Sequence, residues 1–144
     1  MPLSPPFGRS QGRFASHFSS LHQFIIYISY IVYCAICTLC RKQGVGSTVH
    51  WKQRLAIYKS HIKYHRETCG VAKHFIHDCP NDENPTKHLV FILLDGLNNI
   101  SDMSEEQRDN LLLQKENFWI GTLLTMHKGM NSTHDWNRTK RCDK

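Results

Sequence analysis

Acidic residues are missing from the first 66 positions of this 144-residue chain, and nine of its twelve carboxylates crowd between Asp78 and Glu116. Against that absence stand seven cations between Arg41 and Arg66, namely Arg41, Lys42, Lys52, Arg54, Lys59, Lys63 and Arg66. A basic block beside aromatics suits a polyanion, because neutralising phosphates releases their condensed counterions. A solvated cationic face is the plainer alternative.

The chain also lacks the signal peptide and the dense, regular cysteine array of a secreted disulfide scaffold, although it has six cysteines. Cys37-Thr38-Leu39-Cys40 has CxxC spacing, which in an intracellular chain reads first as a metal knuckle or a redox pair. Without an export signal the Asn-x-Ser/Thr triplets at Asn99, Asn131 and Asn137 carry little weight. Long apolar runs are scarce as well. Phe24–Cys40 is uncharged for seventeen residues, the lower limit for a membrane span, with Arg41-Lys42 on its distal flank. Its richness in Ile, Tyr and Val, with little Leu or Ala, favours a buried strand instead. No stable membrane association is expected, and a small membrane protein anchored by residues 24–40 is the rival reading.

What remains is one domain's worth of ordinary globular composition, 40% apolar and 21% charged. Residues 1–23 read as a disordered leader of Pro, Gly and Ser without a period. A strand from Phe24 to about Ile36, a turn over Cys37–Gln43 and a strand over Val45–Val49 form an antiparallel hairpin. Ser47 or Thr48 can cap the helix that follows, about Trp51–Tyr64, whose Trp51, Leu55, Tyr58 and Ile62 make one apolar stripe. Gly70–His77 reads as a short helix, Asp78–Pro85 as a turn cluster and Leu89–Leu94 as a strand buried on both faces. Ser104-Glu-Glu-Gln107 has the form of a capping box opening a helix to about Met126. Within it Glu116 falls on the apolar face, where a carboxylate needs a metal or a partner such as Arg54.

These blocks, in this order, resemble a known family. Ile31-Val32-Tyr33 and Gly44-Val45-Gly46-Ser47-Thr48 look like the paired motif strands of GIY-YIG endonucleases. Trp51-Lys52-Gln53-Arg54 falls where that family places its helix arginine. Val71–Phe75, Leu112–Ile120 and Thr125–Asn131 resemble segments of the retroelement branch, Penelope-like and reverse-transcriptase-associated. The resemblance spans roughly three quarters of the chain, residues 24–138 forming the domain and 139–144 a basic tail. It implies an α+β fold, a small mixed, mainly antiparallel sheet flanked by helices, in agreement with the element reading.

The resemblance implies a DNA endonuclease, a phosphodiesterase that nicks its target with Mg²⁺ and is nuclear. Its partners would be DNA and a reverse transcriptase encoded by the same element. Glu116 would hold Mg²⁺, Arg54 the scissile phosphate, and Tyr33 would orient or deprotonate the attacking water. Tyr58 would aid proton transfer, and Asn131 would support the site by hydrogen bonding. Lys42, Lys52, Lys59 and Lys63, with Arg54, would contact nucleic acid. Gly44 departs from the family, standing where the second motif tyrosine belongs; loss of such a proton-transfer group typically costs about 10²–10⁴-fold in rate.

Retroelement relatives often carry a zinc pattern around the first hairpin. Here Cys37 and Cys40 would be two ligands of Zn²⁺, with His61, His74, His77 and Cys79 as candidates for the others and His74 with Cys79 or His61 preferred. Cys34 is expected in the core, and Cys69 and Cys142 have no assigned role. A catalytically inactive nucleic-acid-binding module, with the basic block kept and turnover lost through Gly44, is the alternative function.

Overall fold

The computed structural model describes residues 29–79, 84–132 and 135. The expected leader, residues 80–83 of the turn cluster, Asn137, Cys142 and the basic tail lie outside them. The fold is α+β. Three strands, β1 (Ser29–Cys37), β2 (Gln43–His50) and β3 (Leu89–Gly96), form an antiparallel sheet in the order β2-β1-β3.

The described part of the apolar run is thus the central strand. In β1, Tyr30 through Ala35 are all buried, as β-branched and aromatic side chains on a two-faced strand should be. Alternation sends Ile31, Tyr33, Ala35 and Cys37 to one face, where they meet Trp51, Tyr58, Ile62, Val71 and Phe75. Val32 points to the other face and packs with Val45, Leu112 and Ile120. No helix among the described residues is long and apolar enough to cross a membrane.

Leu89–Leu94 was expected to be buried on both faces, but in β3 only Phe91 is fully buried. The reason is position. β3 is an edge strand, and the central place that would have covered it belongs to β1. Phe91 packs edge-on against Trp51, with ring centroids 4.8 Å apart, and against Tyr33 at 5.6 Å.

β2 runs straight into helix α1 (Trp51–Lys63), so the N-cap position is His50, with no side-chain cap. The expected caps are engaged elsewhere. Thr48 accepts from His50 N at 3.2 Å with its hydroxyl, and Ser47 donates to Glu116. The far end of α1 closes through Arg66 N–H to His61 O at 2.8 Å and His65 N–H to Ile62 O at 3.3 Å. This is the Schellman pattern, with His65 in the left-handed region at φ 54° where glycine is usual. His65→Gly should therefore raise the unfolding free energy by about 0.5–1 kcal/mol, read from the urea midpoint. A fall would mean that the imidazole makes a compensating contact.

Helix α2 (Gly70–Lys73) continues as a single wide π turn, His74–Asp78, rather than as the uniform helix expected over Gly70–His77. The helix α3 (Glu105–Leu123) opens on the expected capping box, Gln107 N–H to Ser104 Oγ at 3.2 Å and Ser104 N–H to Gln107 Oε1 at 2.9 Å. It does not reach Met126. Leu124 turns left-handed at φ 54° and a separate short helix, α4 (Thr125–Lys128), follows. Asp95 of β3 pins α3 to the sheet, accepting from Lys115 Nζ at 2.9 Å and Trp119 Nε1 at 3.2 Å. Although partial burial opposes ionisation, these donors and Gly96 N–H hold its carboxyl below the usual range.

Candidate functional site

Strand alternation, a helix stripe and a returning tail bring Tyr33, Arg54, Tyr58, Glu116 and Asn131 to the β1–β2 hairpin. Tyr33 lies across β2 at Gly46, its Cα partner, where an added Cβ would sit 2.6 Å from the phenol carbon Cζ. Its hydroxyl is 2.6 Å from that of Tyr58 on α1. Burial pushes both phenols up; Arg54 opposes the rise at each, more weakly. Both therefore stay protonated across the physiological range and act as hydrogen-bonding groups rather than as a ready base.

Ser47 joins the two charged groups. It shares the α3-facing side of β2 with Val45, two residues away, and its hydroxyl donates to Glu116 Oε2. Its carbonyl accepts from Arg54 Nη2 at 3.3 Å. Arg54 is 3% exposed and Glu116 1%, so both are core groups, and both act electrostatically on Tyr33. In the sequence Ser47 stands out as a helix cap and as part of a motif strand, not as the partner of Glu116. The available signal was the carboxylate between Leu112 and Ile120, which needed a donor from the facing strand.

Asn131 was expected to support the site, and it does so through the backbone. Its side-chain oxygen accepts from Val45 N–H at 2.7 Å and its amide donates to Val45 O at 2.9 Å, while Met130 N–H reaches Gln43 O at 2.7 Å. The open side of β2 is thereby paired at Gln43 and Val45. Asp135, buried and not singled out from the sequence, accepts from Ser132 N–H at 2.7 Å and lies 3.5 Å from Asn131 Nδ2.

Gly44 occupies the same face of β2 as Gly46, opposite Ala35. A Cβ there would stand 2.9 Å from Val71 Cγ2 and 3.2 Å from Met130 Cβ. The space a tyrosine would enter is filled by these two side chains.

A second cluster forms at the hairpin turn. Cys37, Cys40, His74 and Cys79 each present one ligand atom, all within 4.8 Å of one another, and could hold a metal ion such as zinc. With Zn–S near 2.3 Å and Zn–N near 2.05 Å, a tetrahedron places sulfurs about 3.8 Å apart and sulfur and nitrogen about 3.6 Å apart. Cys37 and Cys79 sulfurs are 3.7 Å apart, and Cys40 Sγ is 3.3 Å from His74 Nε2. The π turn makes this geometry. Cys79 N–H bonds to His74 O at 2.8 Å, which stacks residues five apart on one side.

The donor chemistry is mixed: burial and the neighbouring Cys37 and Cys40 push the Cys79 thiol up to about 11, while the other donors lean toward a cation. Burial pushes the Cys37 thiol up, yet hydrogen bonds from the Cys40 and Leu39 backbone and from the Cys40 and Cys79 thiols outweigh it and leave it below its ordinary value. Burial drives His74 down, with Asp78 opposing, so the ring is neutral as a ligand must be. Asp78 Oδ2 lies 3.7 Å from His74 Nδ1, too far for a hydrogen bond but on the side where an outer carboxylate could orient the ring if a metal bound Nε2.

The remaining ligand candidates point elsewhere. His61 Nδ1 is 2.6 Å from Thr68 Oγ1, and His77 contacts Glu67. Cys34, three residues before Cys37, falls on the opposite face of β1, where burial pushes its thiol up to about 12.

The cationic residues divide. Lys42, Lys52, Lys59 and Lys63 are exposed, the last three along the outer face of α1, whereas Arg54 points into the core. The lysines can meet a polyanion on the surface; Arg54 can meet only a phosphate that enters the site. The chain matches no protein-family model, and neither the curated proteins nor the solved structures include one significantly similar to it.

Proposed function

We propose that this chain is a GIY-YIG-type DNA endonuclease domain of retroelement origin. The observation that carries the reading is the chain of contacts from Arg54 through Ser47 to Glu116, set beside the Tyr33–Tyr58 pair. Phosphodiester hydrolysis requires a positioned water, charge compensation at phosphorus and a stabilised leaving oxygen. These residues match those needs in kind. Arg54 offers fixed donors for a phosphate. Tyr33, kept protonated by burial, orients the water through its hydroxyl, and Tyr58 continues the hydrogen-bonded path.

Glu116 is the one carboxylate of this set, and it belongs to no cluster of three or more ligand groups among the described residues. Mg²⁺, which keeps several waters and needs few protein ligands, is the cation the resemblance assigns to Glu116. Mg²⁺ bound there would supply Lewis acidity to the phosphate. Zn²⁺ at the cysteine–histidine cluster would be structural, tying the hairpin turn to the π turn. DNA, and a reverse transcriptase from the same element, are the partners this reading implies.

One observation favours the second reading, a binding module without turnover. Val71 and Met130 fill the space beside Gly44, so the missing tyrosine is not simply an empty socket. Supercoiled-plasmid nicking in Mg²⁺ separates the two. The nuclease reading expects nicking by the native chain, slowed by at least about 10²-fold in Glu116→Gln. DNA binding by a folded chain with no nicking would leave the binding module.

A further inference from the structure

We infer that the C-terminal end of α1 is a stacking platform for an unpaired base of DNA, with Tyr64 as the plate and Lys63 and Arg66 as its phosphate contacts. The inference deepens the DNA-binding reading and rests on it.

Tyr64 is 61% exposed, at the last turn of the helix whose inner face carries Arg54 and Tyr58. Other large apolar side chains are exposed too, among them Phe118 and Leu124. Tyr64 differs in its company. Lys63 Nζ lies over its ring, 5.4 Å from the centre, and Arg66 Cζ at 6.0 Å. Both are long exposed side chains that must swing off the ring face toward the phosphates when a base stacks there. Arg66 comes so close because the left-handed residue His65 folds the chain back and the Arg66 N–H closes on His61 O. A non-glycine residue in that conformation costs free energy, and here the turn delivers a cation to an exposed ring.

The approach to the ring is also cationic. Lys52, Lys59 and Lys63 recur at helical spacing on the outer face, a stripe about 16 Å long at 1.5 Å per residue. No acidic residue lies within α1, and Glu67, the nearest in sequence, contacts His77. A cationic track that ends on an exposed aromatic is how proteins hold a single strand: phosphates follow the charges and a base stacks on the ring. A base paired in the interior of a duplex has both faces buried by its neighbours. Only an unpaired, frayed or displaced base can lie on a ring at the convex end of a helix.

Anisotropy of labelled dT12 and of a blunt 12-base-pair duplex, with the full chain, tests this. Stacking contributes about 1–3 kcal/mol per base, so Tyr64→Ala should weaken dT12 binding by roughly tenfold. Duplex affinity and the salt slope should be unchanged, and Tyr64→Phe should bind dT12 like the native chain. Lys63→Ala and Arg66→Ala should weaken both probes and reduce the salt slope by about one each. If Tyr64→Ala binds dT12 as the native chain does, or loses both probes equally, the platform is wrong while DNA binding stands. If the native chain binds neither probe, the DNA-binding reading and the platform fall together. Single-strand binding that depends on Tyr64 without any nicking would sustain the platform and remove only the catalytic claim.

Discussion

Stripping the metal from zinc-loaded protein should lower its thermal midpoint by roughly 10 °C or more, because metal-binding free energy at such a site is folding free energy. The four candidate ligands come from segments far apart in sequence. Cys37 and Cys40 belong to the first hairpin, and His74 and Cys79 to the turn after α2. Without a cation three thiol groups and an imidazole are left facing one another, with Cys37 and Cys79 sulfurs at 3.7 Å. Cys79→Ser should abolish stoichiometric zinc and reproduce the loss of stability, whereas Cys34→Ser, on the other face of the strand, should leave the zinc content at one. Atomic absorption with a parallel melting curve checks both.

The metal-free protein should also lose stability as the pH falls. Burial lowers His74 in the folded chain, with Lys42 adding to it and Asp78 opposing, while the unfolded imidazole keeps its ordinary 6.5. Below that value the unfolded chain takes up a proton the folded chain resists, so the equilibrium moves toward unfolding. A flat stability profile from pH 7 to pH 5 would contradict this placement of the ring.

Glu116→Ala should cost about 3–5 kcal/mol of stability in urea titrations, the penalty for breaking a buried charged arrangement on one side. Glu116 sits between Leu112 and Ile120 on the buried stripe of α3, with Ser47 donating to it and Arg54 bound to the same residue of β2. Removing the carboxylate takes the acceptor from the Ser47 hydroxyl and leaves a guanidinium, 3% exposed, in a site with one negative charge fewer. Glu116→Gln keeps an acceptor for Ser47 and should cost less. If Glu116→Ala raises stability instead, the carboxylate is held against the fold for the sake of a ligand alone.

Much of this was legible because it rests on local pattern. The β-branched content of β1, the apolar stripe of α1, the box at Ser104 and Gln107 and the inward Glu116 all follow from spacing within one element. CxxC spacing marked Cys37 and Cys40 as a metal knuckle or a redox pair; His74 and Cys79 entered through the family resemblance, which left the choice between Cys79 and His61 open. What failed depended on tertiary placement. Ser47 and Thr48 were free to cap α1 only if nothing else needed them, and Glu116 needs Ser47. Leu89–Leu94 looks central by composition but, among the described residues, lies at the edge of the sheet. The left-handed Leu124 is invisible in a sequence with no glycine there. The π turn leaves no mark in composition, yet it sets the spacing of His74 and Cys79.

The amide of Asn131 has a consequence beyond the site. By giving and taking one hydrogen bond at Val45, it acts as a counterfeit strand one residue long, with Met130 completing the imitation at Gln43. A sheet edge left bare is a template on which another chain can grow. Here the last described stretch of the chain covers the β2 edge at Gln43 and Val45. A proteolytic cut ahead of residue 130 would do more than loosen a tail, since it would bare Gln43 and Val45 of β2 to pairing by another chain.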